Sequence, residues 1–206
     1  MAMTSKKGLL IVVSGPSGAG KGTICEEFMK TEAENTCLSV SATTRAARPG
    51  ETEGVHYYFL SEEKFKRLIA EDGLIEWACF CGNYYGTPKK KVTEAIAAGK
   101  NVILEIEVQG AMKVRSEFPE AVFVYVIPPS MSELRKRLSG RATESDEVIG
   151  ERLKTAAWEF SHIAKYNYIL LNDDVDKAVE RLKCIITAEG QRVERNVDYI
   201  KEVVEN

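Results

Sequence analysis

Apolar residues follow two rhythms along this chain. Leu9-Leu10-Ile11-Val12-Val13 and Val122 to Ile127 are unbroken apolar runs, the pattern of parallel strands covered on both faces. A run from Val102 that takes in Leu104 and Ile106, and the stretch Tyr168 to Leu171, predict two further strands. Between them the period changes. Val175, Ala178, Val179, Leu182 and Ile186 recur at i, i+3, i+4, i+7 and i+11, which lines up one apolar helix face. A second helical stretch runs from Lys21 to about Thr31, and Pro128-Pro129 closes the strand that begins at Val122. Strands alternating with helices predict an α/β layer fold with a central parallel sheet.

Two stretches break the alternation. From Ser39 to Lys91 the chain holds short aromatic strand-like pieces, Tyr57-Tyr58-Phe59 and Tyr84-Tyr85, and one clear helix marked by Phe65, Leu68 and Ile69 and ended by Gly73. It reads as an inserted α+β lobe. From Ser130 to about Ala157 the pattern is helical and heavily charged, with Arg135, Lys136, Arg137, Arg141 and Arg152. The expected organisation is one domain over 8–189, with a core of 8–38, 92–129 and 158–189, the lobe at 39–91 and the charged segment at 130–157. Residues 190–206 read as a C-terminal helix or tail; either they dock between subunits of a homo-oligomer or they form a simple extension.

Composition narrows the classes without naming a function. A chain of 206 residues can bury a substantial core as one domain, and 44% hydrophobic with 29% charged residues is ordinary for a globular protein. The formal net charge of −3 argues against a general nucleic-acid or membrane-surface binder. Any anionic ligand must therefore meet a local cluster of Arg and Lys. Leu9 to Val13 is too short for a signal-peptide core or a membrane span. Five cysteines in irregular positions fit a reducing cytoplasm better than a disulfide framework. Cys79 and Cys81 read as strand residues, with no His or further Cys nearby to complete a tetrahedral metal site. His56 and His162 read as ordinary packing or surface histidines.

Chemistry first appears directly after the first strand. Gly15-Pro16-Ser17-Gly18-Ala19-Gly20-Lys21 fits G-x-x-x-x-G-K between an apolar strand and a helix, the context that gives this motif its meaning. Glycines let the backbone curl until successive N–H groups converge on phosphate oxygens, the helix N-terminus adds positive potential, and Lys21 supplies a point charge for the β- and γ-phosphates. Gly22 stands where Ser or Thr usually holds Mg²⁺. Either Thr23, one place later, substitutes, or the metal is held by phosphates and water.

A second signature follows. Ser41-Ala42-Thr43-Thr44-Arg45-Ala46-Ala47-Arg48-Pro49-Gly50-Glu51, then Gly54 and Tyr57-Tyr58-Phe59, closely resembles guanylate kinases. Ile75-Glu76-Trp77, Gly82 to Thr87, Gln109-Gly110, Pro128-Pro129-Ser130, Arg137-Leu138, Gly140-Arg141 and Asn172-Asp173-Asp174 fit the same family in order, from about Gly8 to Glu189. The resemblance implies a three-layer P-loop kinase fold in which the inserted lobe binds GMP and the charged helical segment is a lid. It sets the GMP phosphate against Arg45, Arg48, Tyr57 and Tyr85, and the base against Ser41, Glu76, Thr87 and Glu107. Position 107 carries Glu where the family usually has Asp. ATP would lie on Gly15 to Thr23, with Asn172 near its adenine and Mg²⁺ as its metal.

The residue types suit those roles. Two arginines three apart offer planar forks to a doubly charged phosphate. Guanine presents a ring N–H beside an exocyclic amine, and one carboxylate, Glu76, can accept both; adenine would leave that carboxylate unpaired. The expected reaction is transfer of the ATP γ-phosphoryl to GMP, and to dGMP, with Lys21, Arg45, Arg137, Arg141 and Arg152 neutralising charge. Two other readings stay in view: a P-loop kinase for AMP or a pyrimidine nucleotide, and a silent partner-binding module of the same family. The intact Gly20, Lys21, Arg45, Arg48 and Arg141 oppose the latter.

Overall fold

The computed structural model describes residues 7–80, 82–139 and 146–205. The chain opens with β1 (Leu10–Ser14), α1 (Lys21–Glu32) and β2 (Thr36–Leu38). Next come β3 (Ser41–Thr43), β4 (Tyr57–Phe59), α2 (Glu62–Ala70), β5 (Leu74–Phe80) and β6 (Asn83–Pro88). It continues through α3 (Lys89–Ala97), β7 (Asn101–Glu105), α4 (Val108–Glu117) and β8 (Val122–Ile127). Then follow α5 (Met131–Ser139), α6 (Asp146–Phe160), β9 (Tyr168–Leu171), α7 (Val175–Gly190) and α8 (Val197–Glu205).

The first four predicted strands form one parallel sheet, joined at its edge by the short β2, in the order β2-β7-β1-β8-β9. Strand β1 lies at the centre and is buried along its whole length. Its side chains alternate between two apolar layers, as the two-residue strand period requires. Ile11 and Val13 pack with Ile24 and Phe28 of α1 and Leu182 of α7. Leu10 and Val12 face the opposite way, with Leu104, Val114 of α4 and Phe123. The predicted apolar face of α7 is the one that is buried, and Asp174 caps that helix by accepting from the Lys177 N–H at 3.0 Å. This is the expected α/β architecture.

The inserted lobe carries its own sheet, in the order β4-β3-β6-β5, with β3 and β4 parallel and the other pairs antiparallel. Its small core is Ala42, Phe65 and Leu74 with Trp77 and Tyr84 against them. Phe65 is the one fully buried side chain of α2, so its truncation to Ala costs about 3–5 kcal/mol of stability. Strand β5 forms an edge of this sheet, and its register against β6 shifts between Leu74 and Trp77. That irregularity brackets Glu76.

The charged segment is two helices, α5 and α6, packed through Leu134, Leu138 and Ala156 with Leu153 and Phe160. Gly140, Arg141 and Cys81, named above, lie outside the described residues. Helix α8 buries none of its residues and exposes Val197, Ile200, Val203 and Val204. Among the described residues no helix is long and apolar enough to cross a membrane.

Candidate active site

The parallel sheet ends at a loop whose backbone only glycine can follow at its critical point. Gly20 has φ 91°, and a Cβ there would stand 2.3 Å from Asn172 Nδ2. The Asn172 amide in turn donates to Ala19 O at 2.7 Å and is buried. Asn172, which the resemblance sets near the adenine, thus makes its contact here on the phosphate loop itself. Lys21 opens α1 and is buried, its ammonium donating to Gly15 O at 2.7 Å and lying 3.6 Å from the Glu107 carboxylate. The lysine is therefore folded back onto its own loop, between the Gly15 carbonyl and the Glu107 carboxylate.

The arginines of the charged segment already reach this loop. Arg137 of α5 donates to Ala19 O at 3.4 Å and Asn172 O at 3.1 Å, while its Nε pairs with Glu133 at 3.0 Å. Arg152 of α6 donates to Ser17 Oγ at 2.7 Å. Leu138 packs beneath Gly18, where a Cβ would lie 2.9 Å from its Cδ2. Lys21, Arg137 and Arg152 thus converge on one loop from three helices.

Carboxylates ring the same place, and two of them, Glu105 and Glu159, escaped the sequence reading. Glu105 ends β7 beside Gly22, where a Cβ would lie 3.4 Å from its Oε1. Burial holds its carboxyl above the ordinary range, opposed by the Lys21 charge and aided by Glu107 and Glu26. Glu159, near the end of α6, is buried, accepts the Ser17 N–H and hydrogen-bonds Glu107. Burial, then the Glu107 charge, push its pKa up to about 7. Glu107 itself stands at the N-cap position of α4 without a side-chain cap bond and turns its carboxylate toward Lys21 and Glu159. Thr23 is exposed on the first turn of α1. Among the described residues no group of three His, Cys, Asp or Glu could hold a metal ion by itself. The oxygen donors beside the loop, Glu105 and Thr23, are hard ligands of the type that suits Mg²⁺ arriving with a nucleotide.

The lobe brings the other predicted residues together. Arg45 forks onto Glu51, with bonds of 2.8 and 2.9 Å, donates to Ala46 O at 2.7 Å, and hydrogen-bonds the Tyr85 hydroxyl. Its guanidinium stacks 5.4 Å over the Tyr57 ring, which meets Tyr85 edge-on. Glu51 also accepts the Arg48 N–H at 2.7 Å, and Arg45 followed by Arg48 holds its pKa down at about 2. The Arg48 side chain is exposed. Glu51, the last residue of the Ser41–Glu51 signature, thus occupies both arms of the Arg45 guanidinium.

Glu76 is buried on β5, 9% exposed, and accepts from the Thr87 hydroxyl at 2.8 Å. Burial raises its pKa, against the lowering effects of the Thr87 bonds and the Lys113 charge. Among the described residues, the donors that reach it both belong to Thr87. Its Oε2 faces Gly110 of α4, where a Cβ would stand 3.1 Å away. Ser41 starts β3, in register with Tyr57 on β4. Glu76 and Thr87 therefore form a pair, while Glu107 sits on the phosphate-loop side of α4. A larger cleft of about 1030 Å³ between Lys7–Leu10 and Arg192–Tyr199 contains none of the predicted site residues.

With this geometry in hand, comparison with known proteins is direct. The sequence model of the guanylate kinase family, described as "Guanylate kinase", matches residues 7–189. A guanylate kinase of Desulfitobacterium hafniense is 55% identical over 193 residues, covering 94% of this chain and 96% of that one. One from Caldanaerobacter subterraneus subsp. tengcongensis is 54% identical over 197 residues, covering 95% of each chain. The crystal structure of guanylate kinase from Anaplasma phagocytophilum superposes with a TM-score of 0.74 at 36% identity, covering 94% of this chain and 92% of the other.

Proposed function

Because the chain belongs to the guanylate kinase family and is an ATP:GMP phosphotransferase, we propose that it accepts dGMP as well as GMP and uses Mg²⁺ with ATP, recycling GMP in cytoplasmic purine nucleotide metabolism. Members of the family use ATP with a divalent metal. The free cysteines at 25, 37, 79 and 184 support a reducing compartment. On this reading 8–38, 92–129 and 158–189 form the ATP-binding core, 39–91 the GMP lobe and 130–157 the lid.

The single observation that carries the acceptor assignment is Glu76, a buried carboxylate partnered only by Thr87 among the described residues. Such a group calls for further donors, and the paired N–H groups of guanine supply them. Arg45, Arg48, Tyr57 and Tyr85 would take the GMP phosphate, Arg45 releasing Glu51 to do so. Ser41 and Thr87 complete the base pocket, with Glu107 at its phosphate-loop end. On the ATP side, Lys21 moves its ammonium from Gly15 O to the β- and γ-phosphates, and Gly15 to Thr23 with Asn172 hold the loop around them. Arg137, Arg152 and Arg141 enclose the transferring group from the lid.

The acceptor phosphate has a second pKa of about 6, so at neutral pH it needs no general base. The work left to the protein is alignment, charge neutralisation and exclusion of water. Mg²⁺, carried in by the phosphates with Glu105 and Thr23 alongside, would supply further neutralisation.

The test is ADP formation from MgATP with GMP, dGMP, IMP, AMP, UMP or dTMP, repeated with Glu76→Gln. Turnover on GMP and dGMP with little on AMP, and a loss confined to guanine acceptors in the variant, is the expected result. AMP or a pyrimidine nucleotide turning over as fast as GMP would overturn the role given to Glu76.

A further inference from the structure

Helix α4 meets the edge strand β5 at two positions one helical turn apart, Gly110 and Lys113. Gly110 leaves room for Glu76 Oε2. Lys113 donates to the carbonyl of the next residue, Trp77, at 2.5 Å, and its ammonium lies 5.1 Å from the Trp77 ring centroid. An edge strand has one row of backbone groups without a strand partner, and β5 is irregular in register just where Glu76 sits. Without an anchor from outside the sheet, the carboxylate would sit on the least constrained part of the lobe. Lys113 supplies that anchor from the core side, in a crevice of about 330 Å³ lined also by Asp72 and Glu117.

We propose that Lys113 is a specificity-positioning residue for the acceptor base, acting through Glu76 by fixing the β5 backbone and placing a cation behind the carboxylate. The inference rests on the reading of Glu76 as the guanine acceptor. The charges facing the crevice are unequal in their freedom. Asp72 is paired with Lys89 at 2.6 Å, and Lys89 also lies 3.9 Å from Glu117, so these two carboxylates and the two lysines balance, and Lys113 is the cation whose charge acts on Glu76. In keeping with this, the Lys113 charge lowers the proton affinity that burial raises at Glu76. Glu76 must be ionised to accept two N–H groups, so losing Lys113 should weaken guanine binding most at low pH.

The experiment measures GMP affinity by calorimetry and steady-state kinetics for Lys113→Met, Lys113→Arg, Glu76→Gln and the double variant Lys113→Met/Glu76→Gln, between pH 5.5 and 8.5. Lys113→Met should raise KM for GMP about tenfold, leaving kcat and KM for ATP within about twofold. Its acid limb in kcat/KM for GMP should move to higher pH than in the parent, the ionisation of GMP itself being common to both. Lys113→Arg should restore the parent profile, and Lys113→Met should add nothing on the Glu76→Gln background. An unshifted acid limb, or an equal loss on both backgrounds, would reduce Lys113 to a structural strut and overturn the proposal. Unchanged GMP affinity in Glu76→Gln would instead overturn the underlying reading of Glu76.

Discussion

The phosphate loop and the inserted lobe hold their cations in different ways. At the loop, Lys21 donates to Gly15 O with Glu107 3.6 Å away, Arg137 divides its donors between Glu133 and the carbonyl oxygens of Ala19 and Asn172, and Arg152 donates to the Ser17 hydroxyl. In the lobe, Arg45 is clasped by a full carboxylate, Glu51. Neutral partners give up a cation to incoming phosphate with little electrostatic loss, whereas Glu51 competes with the ligand as a like charge. On the proposed assignment, GMP phosphate would have to displace Glu51 from Arg45, whereas ATP phosphates would meet donors resting partly on carbonyl and hydroxyl oxygens.

The sharpest way to break this contrast is Lys21→Met, which removes the buried ammonium held against the phosphate loop. Turnover should fall about a thousandfold or more, with GMP affinity measured by calorimetry nearly unchanged. Arg45→Met should act on the other side, raising KM for GMP by about thirtyfold while KM for ATP stays within twofold. A rise in both constants would mean the two sides are not separable.

Glu159→Gln tests the carboxylates beneath the loop. The folded pKa of Glu159, about 7, lies above its ordinary 4.5, so the folded state binds the extra proton between those values. Its contribution to stability is complete below pH 4.5 and lost as pH rises through 7. Glu159→Gln should therefore raise Tm at pH 8, by an amount equivalent to about 1–3 kcal/mol, and change little at pH 5. Equal shifts at both pH values would refute the assignment. The smallest effect is expected from Glu51→Gln. Weakening the anion that holds Arg45 should lower KM for GMP by about threefold. A rise in KM would mean that the bond from the Arg48 N–H, which orders the turn, outweighs the competition.

Sequence patterning disclosed the parts of the fold that obey one period for long enough. Strands β1, β8 and β9 and helix α7 were legible because each is a continuous apolar run or a sustained 3.6-residue stripe. Strands β2 and β3 span only three residues each, too short to establish a period. Two expected segment boundaries, after residues 91 and 157, fall inside helices α3 and α6. The site was legible where a motif gathers many residues in a line, as in Gly15 to Lys21. It was opaque where the partners meet only through the fold. Glu105 is a single acid closing an apolar strand, Glu159 one acid in a charged helix, and Lys113 one base on α4. Only the pairing of β7 with β1 and the packing of β5 and α6 against the core give them neighbours.

One further consequence lies in helix α6. Arg152 and Glu159 are seven residues apart, two turns or about 10 Å along one face of a rigid rod. The first holds the Ser17 hydroxyl and the second its backbone N–H. The tip of the phosphate loop is therefore gripped at two points by one stiff lever. On the proposed assignment that lever is itself part of the lid, so a tilt of α6 would act on the loop as torque, and a phosphate that reshaped the loop would tilt α6 in turn.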